Sequence, residues 1–255
     1  MKMKAIYYAA LMVAVAVLLM TSMPVCASEM DERIESSAMK SYVFKAYLKG
    51  DDIKIQSKDG AVTLTGTVEN EFHKELAQNT LAGLPGVKSV DNKLELKGAP
   101  TPNSDAWIST KVKTTLLFHR SVSGMTEVNT KDGIVILKGA ADNQAQKDLT
   151  TEYARDVDGV KDVKNEMTVS KTSKKTTQTT GEMIDDASIT AQVKMALLFH
   201  RSTSAVNTKV ETNNGVVTLS GKAMNTAEID LVTKIVDDIT GVKSVKNNMT
   251  IERSK

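Results

Sequence analysis

The hydrophobic positions of this 255-residue chain change period repeatedly, and the changes mark short elements. Ile108, Val112, Thr115 and Leu116 recur three and four apart, which predicts a helix with one buried stripe. Ser104 or Asp105 can cap its start. Val128-Asn129-Thr130 predicts a short strand, and Lys131-Asp132-Gly133 a turn whose glycine is free to take positive φ. The β-branched run Ile134 to Lys138 predicts the second strand of a hairpin. Ala145, Leu149, Tyr153 and Val157 form the stripe of a second helix, and Gly159 stands where a C-cap glycine belongs. Val160 to Val169 reads as a third strand with its own turn near Lys164-Asn165. The predicted fold class is α+β: a module in the order αββαβ, with two helices packed on one face of a three-stranded sheet.

The pattern occurs three times. Gly60-Ala-Val-Thr-Leu-Thr-Gly66, Gly133-Ile-Val-Ile-Leu-Lys-Gly139 and Gly215-Val-Val-Thr-Leu-Ser-Gly221 are versions of one strand. Each is followed by a second segment: Gly86-Val-Lys-Ser-Val-Asp-Asn92, Gly159-Val-Lys-Asp-Val-Lys-Asn165 and Gly241-Val-Lys-Ser-Val-Lys-Asn247. The step from Gly66 to Gly86, from Gly139 to Gly159 and from Gly221 to Gly241 is 20 residues each time. Equal spacing with matching residues at both ends marks duplicated structural units. The later copies also share an upstream string, from Ile108 to Arg120 and from Ile189 to Arg201, each ending Leu-Leu-Phe-His-Arg. The first copy is divergent, with a looser version expected around Met39 to Leu48.

These spacings divide the chain into module 1 (28–98), a linker (99–104), module 2 (105–171), a second linker (172–182) and module 3 (183–253). The first linker carries two prolines and should be stiff. The second, rich in Thr, Ser and Lys, reads as a flexible tether. Residues 1–27 read as a signal peptide: Lys2 and Lys4, the 16-residue apolar run Ala5 to Met20, then Val25 and Ala27 before a cleavage point after Ala27. An uncleaved anchor is the alternative, but a bilayer span takes about 20 residues. A lipid-modified Cys26 is another, though Met23-Pro24-Val25 lacks the small residues expected before it.

The strand Gly215 to Gly221, a helix, and the strand opening at Gly241 resemble the BON domain (bacterial OsmY and nodulation). Module 3 matches almost letter for letter, module 2 closely, and module 1 in its hairpin and final strand. The resemblance covers nearly all of residues 33–253. It implies the bacterial periplasm, association with phospholipid membranes or envelope proteins, and no cofactor. It also implies that Gly60, Gly66, Gly86, Gly133, Gly139, Gly159, Gly215, Gly221 and Gly241 are structural and not catalytic.

Charge narrows the partner. The chain has 33 Lys and Arg against 31 Asp and Glu. Without Lys2 and Lys4 the two are equal, whereas nucleic-acid binders carry a basic excess, so no nucleic acid is expected as partner. Cleavage would also remove Cys26, the single cysteine, and with it any thiolate nucleophile or metal ligand. His119 and His200 hold equivalent repeat positions and lack the neighbours of a metal motif, so they read as exposed helix ends. The 13 methionines are scattered, and Met167 and Met249 suit cores. No catalytic residue, metal or nucleotide-binding glycine loop is expected.

The expected partner is an anionic phospholipid surface. In module 2, Trp107, Lys111, Thr114 and Phe118 share one helical face beside the core stripe. Aromatics flanking a lysine suit a membrane interface, and each cation near an anionic surface contributes about 1 kcal/mol. Candidate lipid-binding residues are Trp107, Lys111, Lys113, Phe118 and Arg120, with Lys194, Phe199 and Arg201 in module 3. Packing between modules is the other reading of that face. A protein-interaction or chaperone-like role toward envelope proteins is the alternative function, using a free sheet edge.

Overall fold

The computed structural model describes residues 24–98, 103–122, 125–169, 184–203 and 207–252, with side chains from Glu29 onward. Residues 1–23 of the expected signal peptide, residues 99–102 of the first linker and all of the second linker lie outside the described residues. The three expected modules are present, each a three-stranded sheet packed with two main helices, and module 1 adds a short third helix.

Module 1 comprises α1 (Pro24–Lys40), α2 (Tyr42–Ala46), β1 (Asp52–Lys58), β2 (Ala61–Val68), α3 (Glu71–Ala82) and β3 (Ser89–Leu96). Module 2 comprises α4 (Asp105–Phe118), β4 (Glu127–Lys131), β5 (Ile134–Lys138), β6 (Ala140–Ala141), α5 (Gln144–Asp156), β7 (Asp162–Asn165) and β8 (Thr168–Val169). Module 3 comprises α6 (Asp186–Phe199), β9 (Thr208–Asn213), β10 (Val216–Ala223), α7 (Thr226–Asp237), β11 (Ser244–Asn247) and β12 (Thr250–Ile251). In each sheet the second strand is central, antiparallel to the first and parallel to the last. Val62, Leu64 and Val68 face the core, as do Val135, Leu137 and Ala141, and Val217, Leu219 and Ala223. Strand alternation produces this one-sided burial.

The repeated motifs acquire physical reasons. Asp59-Gly60, Asp132-Gly133 and Asn214-Gly215 have positive φ at both positions, the signature of a type I′ hairpin turn. An aspartate near the start of each module's first helix clamps that turn. Asp31, Asp105 and Asp186 each accept from both turn amides, at 2.7 to 3.0 Å. Ser104 and Asp185 cap α4 and α6, which frees the next aspartate for the hairpin. The lysine of each Gly-Val-Lys segment lays its stem over the turn glycine and donates to the preceding carbonyl. Asn92, Asn165 and Asn247 each tie the final strand to the second helix and accept from the amide two residues on. In modules 2 and 3 the last strand is split there, which accounts for the turn expected near Asn165. Gly66 and Gly221 are required by space as well: a Cβ would lie 2.0 Å from the Asp52 carbonyl oxygen and 1.8 Å from that of Asn207.

Two boundaries differ from expectation. The first helix of module 1 is α1, earlier than Met39 to Leu48, with Asp31 and Ile34 in the places of Asp105 and Ile108. Without a Leu-Leu-Phe-His-Arg string the sequence misaligned it. α5 ends at Val157, whose backbone is extended, so Gly159 is not its C-cap. Gly159 takes φ 92° two residues later, in the turn to β7, against Ile108.

The modules pack on one another. α6 buries eleven of its fourteen residues, so it is covered by more than its own sheet. α3 of module 1 lies along it, and one hydrophobic core runs through modules 1 and 3. Asp185 and Ser188 at the start of α6 accept from the Tyr42 and Val43 amides, which joins α2 to α6.

Candidate functional site

The first-helix ends of modules 2 and 3 meet across a reciprocal seam. The Phe118 carbonyl accepts from the Thr240 amide at 2.9 Å, and the Phe199 carbonyl accepts from the Asp158 amide at 3.2 Å. The Arg120 amide donates to the Asp238 carbonyl at 2.9 Å, and the Arg201 amide to that of Asp156 at 3.0 Å. Each Leu-Leu-Phe-His-Arg string thus docks on the junction after the second helix of the other module. Duplication gave both modules the same two surfaces, so the seam is self-complementary, as in a twofold dimer.

This arrangement buries much of the expected lipid-binding face. Phe118 and Phe199 are fully buried, at 0% and 2% exposure. Phe118 meets Tyr47 of module 1 edge-on at 5.5 Å, and Phe199 meets Phe72 at 4.7 Å. Half-buried Trp107 lies 5.7 Å from Phe72. Lys111 is 4% exposed, its ammonium 4.2 Å from the Trp107 ring centre and 3.3 Å from Asp158. Burial holds the Lys111 ammonium below its ordinary pKa, with Asp158 and Glu75 opposing. Trp107, Lys111, Phe118 and Phe199 therefore form an internal joint between modules, and Lys111, Phe118 and Phe199 are removed from the exposed candidate surface. Arg120 and Arg201 are half exposed and clamp the seam. Arg120 reaches the Val242 and Asp237 carbonyls, and Arg201 those of Val160 and Arg155. Lys113 is exposed and Lys194 half-buried. One turn after each stands an exposed leucine: Leu117 and Leu198 are 39% and 48% exposed. Residues four apart share a helix face.

His119 and His200 are not exposed helix ends. They are 1% and 2% exposed because each string turns inward at the seam. Their Nε2 atoms face each other at 3.4 Å. His200 Nδ1 lies 2.8 Å from Asp156, and His119 Nδ1 lies 3.4 Å from Asp238 without hydrogen-bond geometry. Tyr153 stacks on His119 at 3.8 Å and donates to Asp238 at 2.8 Å. Ser121 and Ser202 donate to Asp238 and Asp156. Burial pushes His119 below the usual imidazole range. At Asp156 and Asp238 burial alone would raise the carboxyl. Their contacts outweigh it and hold both below the usual range: His200 and Ser202 for Asp156, His119, Ser121 and Tyr153 for Asp238. Tyr153 is pushed above its ordinary range by burial and by Asp238. A groove of about 490 Å³ opens beside His200 and Asp156, lined also by Leu149, Tyr153, Leu231 and Ile235. Sequence reasoning missed this cluster, although the repeated Phe-His-Arg was its signal.

Among the described residues no group of three or more His, Cys, Asp or Glu is placed to hold a metal ion. None of the described helices is long and apolar enough to cross a membrane.

Three αββαβ units, two locked by their first-helix ends and the third packed on α6, define a tandem-module protein whose repeats form one packed body. The chain belongs to the BON domain family, whose pattern matches residues 30–98, 104–171 and 185–253. It is 34% identical over 143 residues to the osmotically-inducible protein Y of Escherichia coli, covering 54% of this chain and 71% of that protein. It is 32% identical to a 21 kDa hemolysin of Actinobacillus pleuropneumoniae over 52% of this chain and 69% of that one. It is 29% identical to the outer membrane lipoprotein DolP of Haemophilus influenzae over 63% of this chain and 74% of the relative.

Proposed function

We propose that this is an exported, non-enzymatic protein of the bacterial periplasm that binds anionic phospholipid surfaces under osmotic or envelope stress. The observation that carries the reading is the family match across all three modules. Two of the similar proteins are named for osmotic induction and for the outer membrane, and a third for lysis of cells. With the Trp107 face largely buried, the contact proposed is two equivalent pairs, Lys113–Leu117 and Lys194–Leu198, whose leucines are exposed, as is Lys113, while Lys194 is half-buried. An apolar side chain one turn from a lysine can enter the headgroup region while the ammonium meets lipid phosphate. Each pair alone is weak, and a rigid body that engages both gains by multivalency.

Cosedimentation of residues 28–255 with phosphatidylglycerol-containing vesicles tests this. Binding should fall with added salt, and should drop at least about tenfold in a Lys113→Glu, Leu117→Asp, Lys194→Glu, Leu198→Asp variant that keeps its thermal midpoint. Equal binding by that variant would refute the site. An absence of binding by the parent, with capture of envelope proteins instead, would favour the chaperone-like role.

A further inference from the structure

We propose that the His119–His200 pair is a proton-operated latch: it holds modules 2 and 3 together at neutral pH and releases them in mild acid.

A neutral imidazole has one donor nitrogen and one acceptor. His200 Nδ1 is within 2.8 Å of the Asp156 carboxylate, so it carries the hydrogen and its Nε2 accepts. His119 must then donate from Nε2, which leaves its Nδ1 bare. The hydrogen-bond network agrees, because His119 Nδ1 is a buried atom without a partner. With both rings neutral the Nε2 contact is made, and the one unpaired group is the His119 Nδ1 beside Asp238. One added proton is tolerated, since it would sit on His119 Nδ1 and face Asp238. A second is not. Both Nε2 atoms would then carry hydrogens pointing at each other across 3.4 Å, with like charges and no acceptor between them.

Once the modules separate, each ring meets water and takes its own proton below about pH 6.5. The released form thus binds at least one proton more than the docked form, so docking weakens by about tenfold per pH unit as pH falls below that range. The other groups at the cluster do not reverse this. α4 and its end supply Arg120 and Ser121, the end of α6 supplies Arg201 and Ser202, α5 supplies Tyr153 and Asp156, and the end of α7 supplies Asp237 and Asp238. Tyr153 is held above its ordinary range and Asp156 and Asp238 below theirs, so none of the three changes charge in the histidine range. The groove beside His200 and Asp156 gives solvent protons a route to the pair.

Four amides report the latch directly, because they bridge the seam: Arg120, Thr240, Asp158 and Arg201. Lys161 and Lys243, bonded within modules 2 and 3 to Gly133 and Gly215, report whether the modules themselves stay folded. Hydrogen exchange on the full mature chain, corrected for intrinsic rates, should show the four seam amides losing at least about tenfold protection between about pH 7 and about pH 5.5. The two control amides should keep theirs. His119→Gln can donate to the bare Nε2 of a neutral His200 or, with its amide turned, accept from a protonated one, so it should flatten that dependence. Seam protection that does not change in the parent, or an undiminished slope in His119→Gln, would overturn the latch. If His119→Gln does not dock at neutral pH, ring nitrogen shifts of the parent decide instead. While the seam amides are protected, at least one of the two rings should stay unprotonated. Both rings charged with the seam intact would overturn the proposal.

Discussion

The Lys111 ammonium sits 4.2 Å from the centre of the Trp107 ring, inside the joint where the three modules meet. A cation over an indole face is a favourable contact, but here it is also a buried charge, with Asp158 as its salt-bridge partner. Replacing a buried ion with an apolar chain of similar volume is often neutral or stabilising. Lys111→Met should therefore leave the thermal midpoint within a few degrees of the parent and leave vesicle binding unchanged. Lys111→Glu should cost about 3 kcal/mol or more, because it buries a carboxylate beside Asp158 and Glu75. Urea denaturation measures both.

The aspartate clamp should be general. Asp186→Ala removes two charge-assisted hydrogen bonds from the Asn214-Gly215 turn and should cost about 2–3 kcal/mol in chemical denaturation. Asp105→Ala should behave alike in module 2. A loss below about 0.5 kcal/mol in both would remove the clamp from the account.

Glycines at one motif position should not be equal. Gly66→Ala and Gly221→Ala drive a methyl into a carbonyl oxygen and should each cost at least about 3 kcal/mol. At Gly139 the nearest atom to a new Cβ is 3.7 Å away, so Gly139→Ala carries backbone strain alone, about 1–2 kcal/mol. Thermal unfolding of the three variants checks the order.

Stability should have an acid limb separate from the histidines. Asp31 is held below the usual carboxyl range by the Ser57 hydroxyl and by the Gly60 and Asp59 amides, and Asp156 and Asp238 are also depressed. A depressed folded pKa means that the unfolded chain binds protons first. These groups therefore stabilise fully above the ordinary value of 3.8, and that stability is lost as pH falls through their lower folded values. A pH series of urea midpoints should decline below about pH 4, and Asp31→Asn should blunt that decline.

The sequence made each module's own fold legible because its signals are local. Turn glycines, β-branched runs and the Ile108–Leu116 stripe report how a segment meets its own sheet. The joint between modules was legible only as an alternative reading of the Trp107 face, for a physical reason. A helical stripe identifies the face buried in its own module, and a second buried face looks like ordinary amphipathic surface. The face with Trp107 and Lys111 therefore read as a lipid contact with packing between modules as the alternative, and His119 and His200 read as exposed ends. α6 carried the stronger hint, since Ala187 to Phe199 is apolar on nearly every side. Asp105 was read only as a possible helix cap and Asp186 was not singled out, although an acid near that point precedes the turn glycine by 28 or 29 residues in all three modules.

The central claim is that three duplicated modules share internal joints and form one body. Nuclear Overhauser contacts between aromatic rings of different modules test it most directly. The account predicts strong cross-peaks at neutral pH from Phe72 to Phe199 and from Tyr47 to Phe118. Rings that show contacts only within their own module would contradict it.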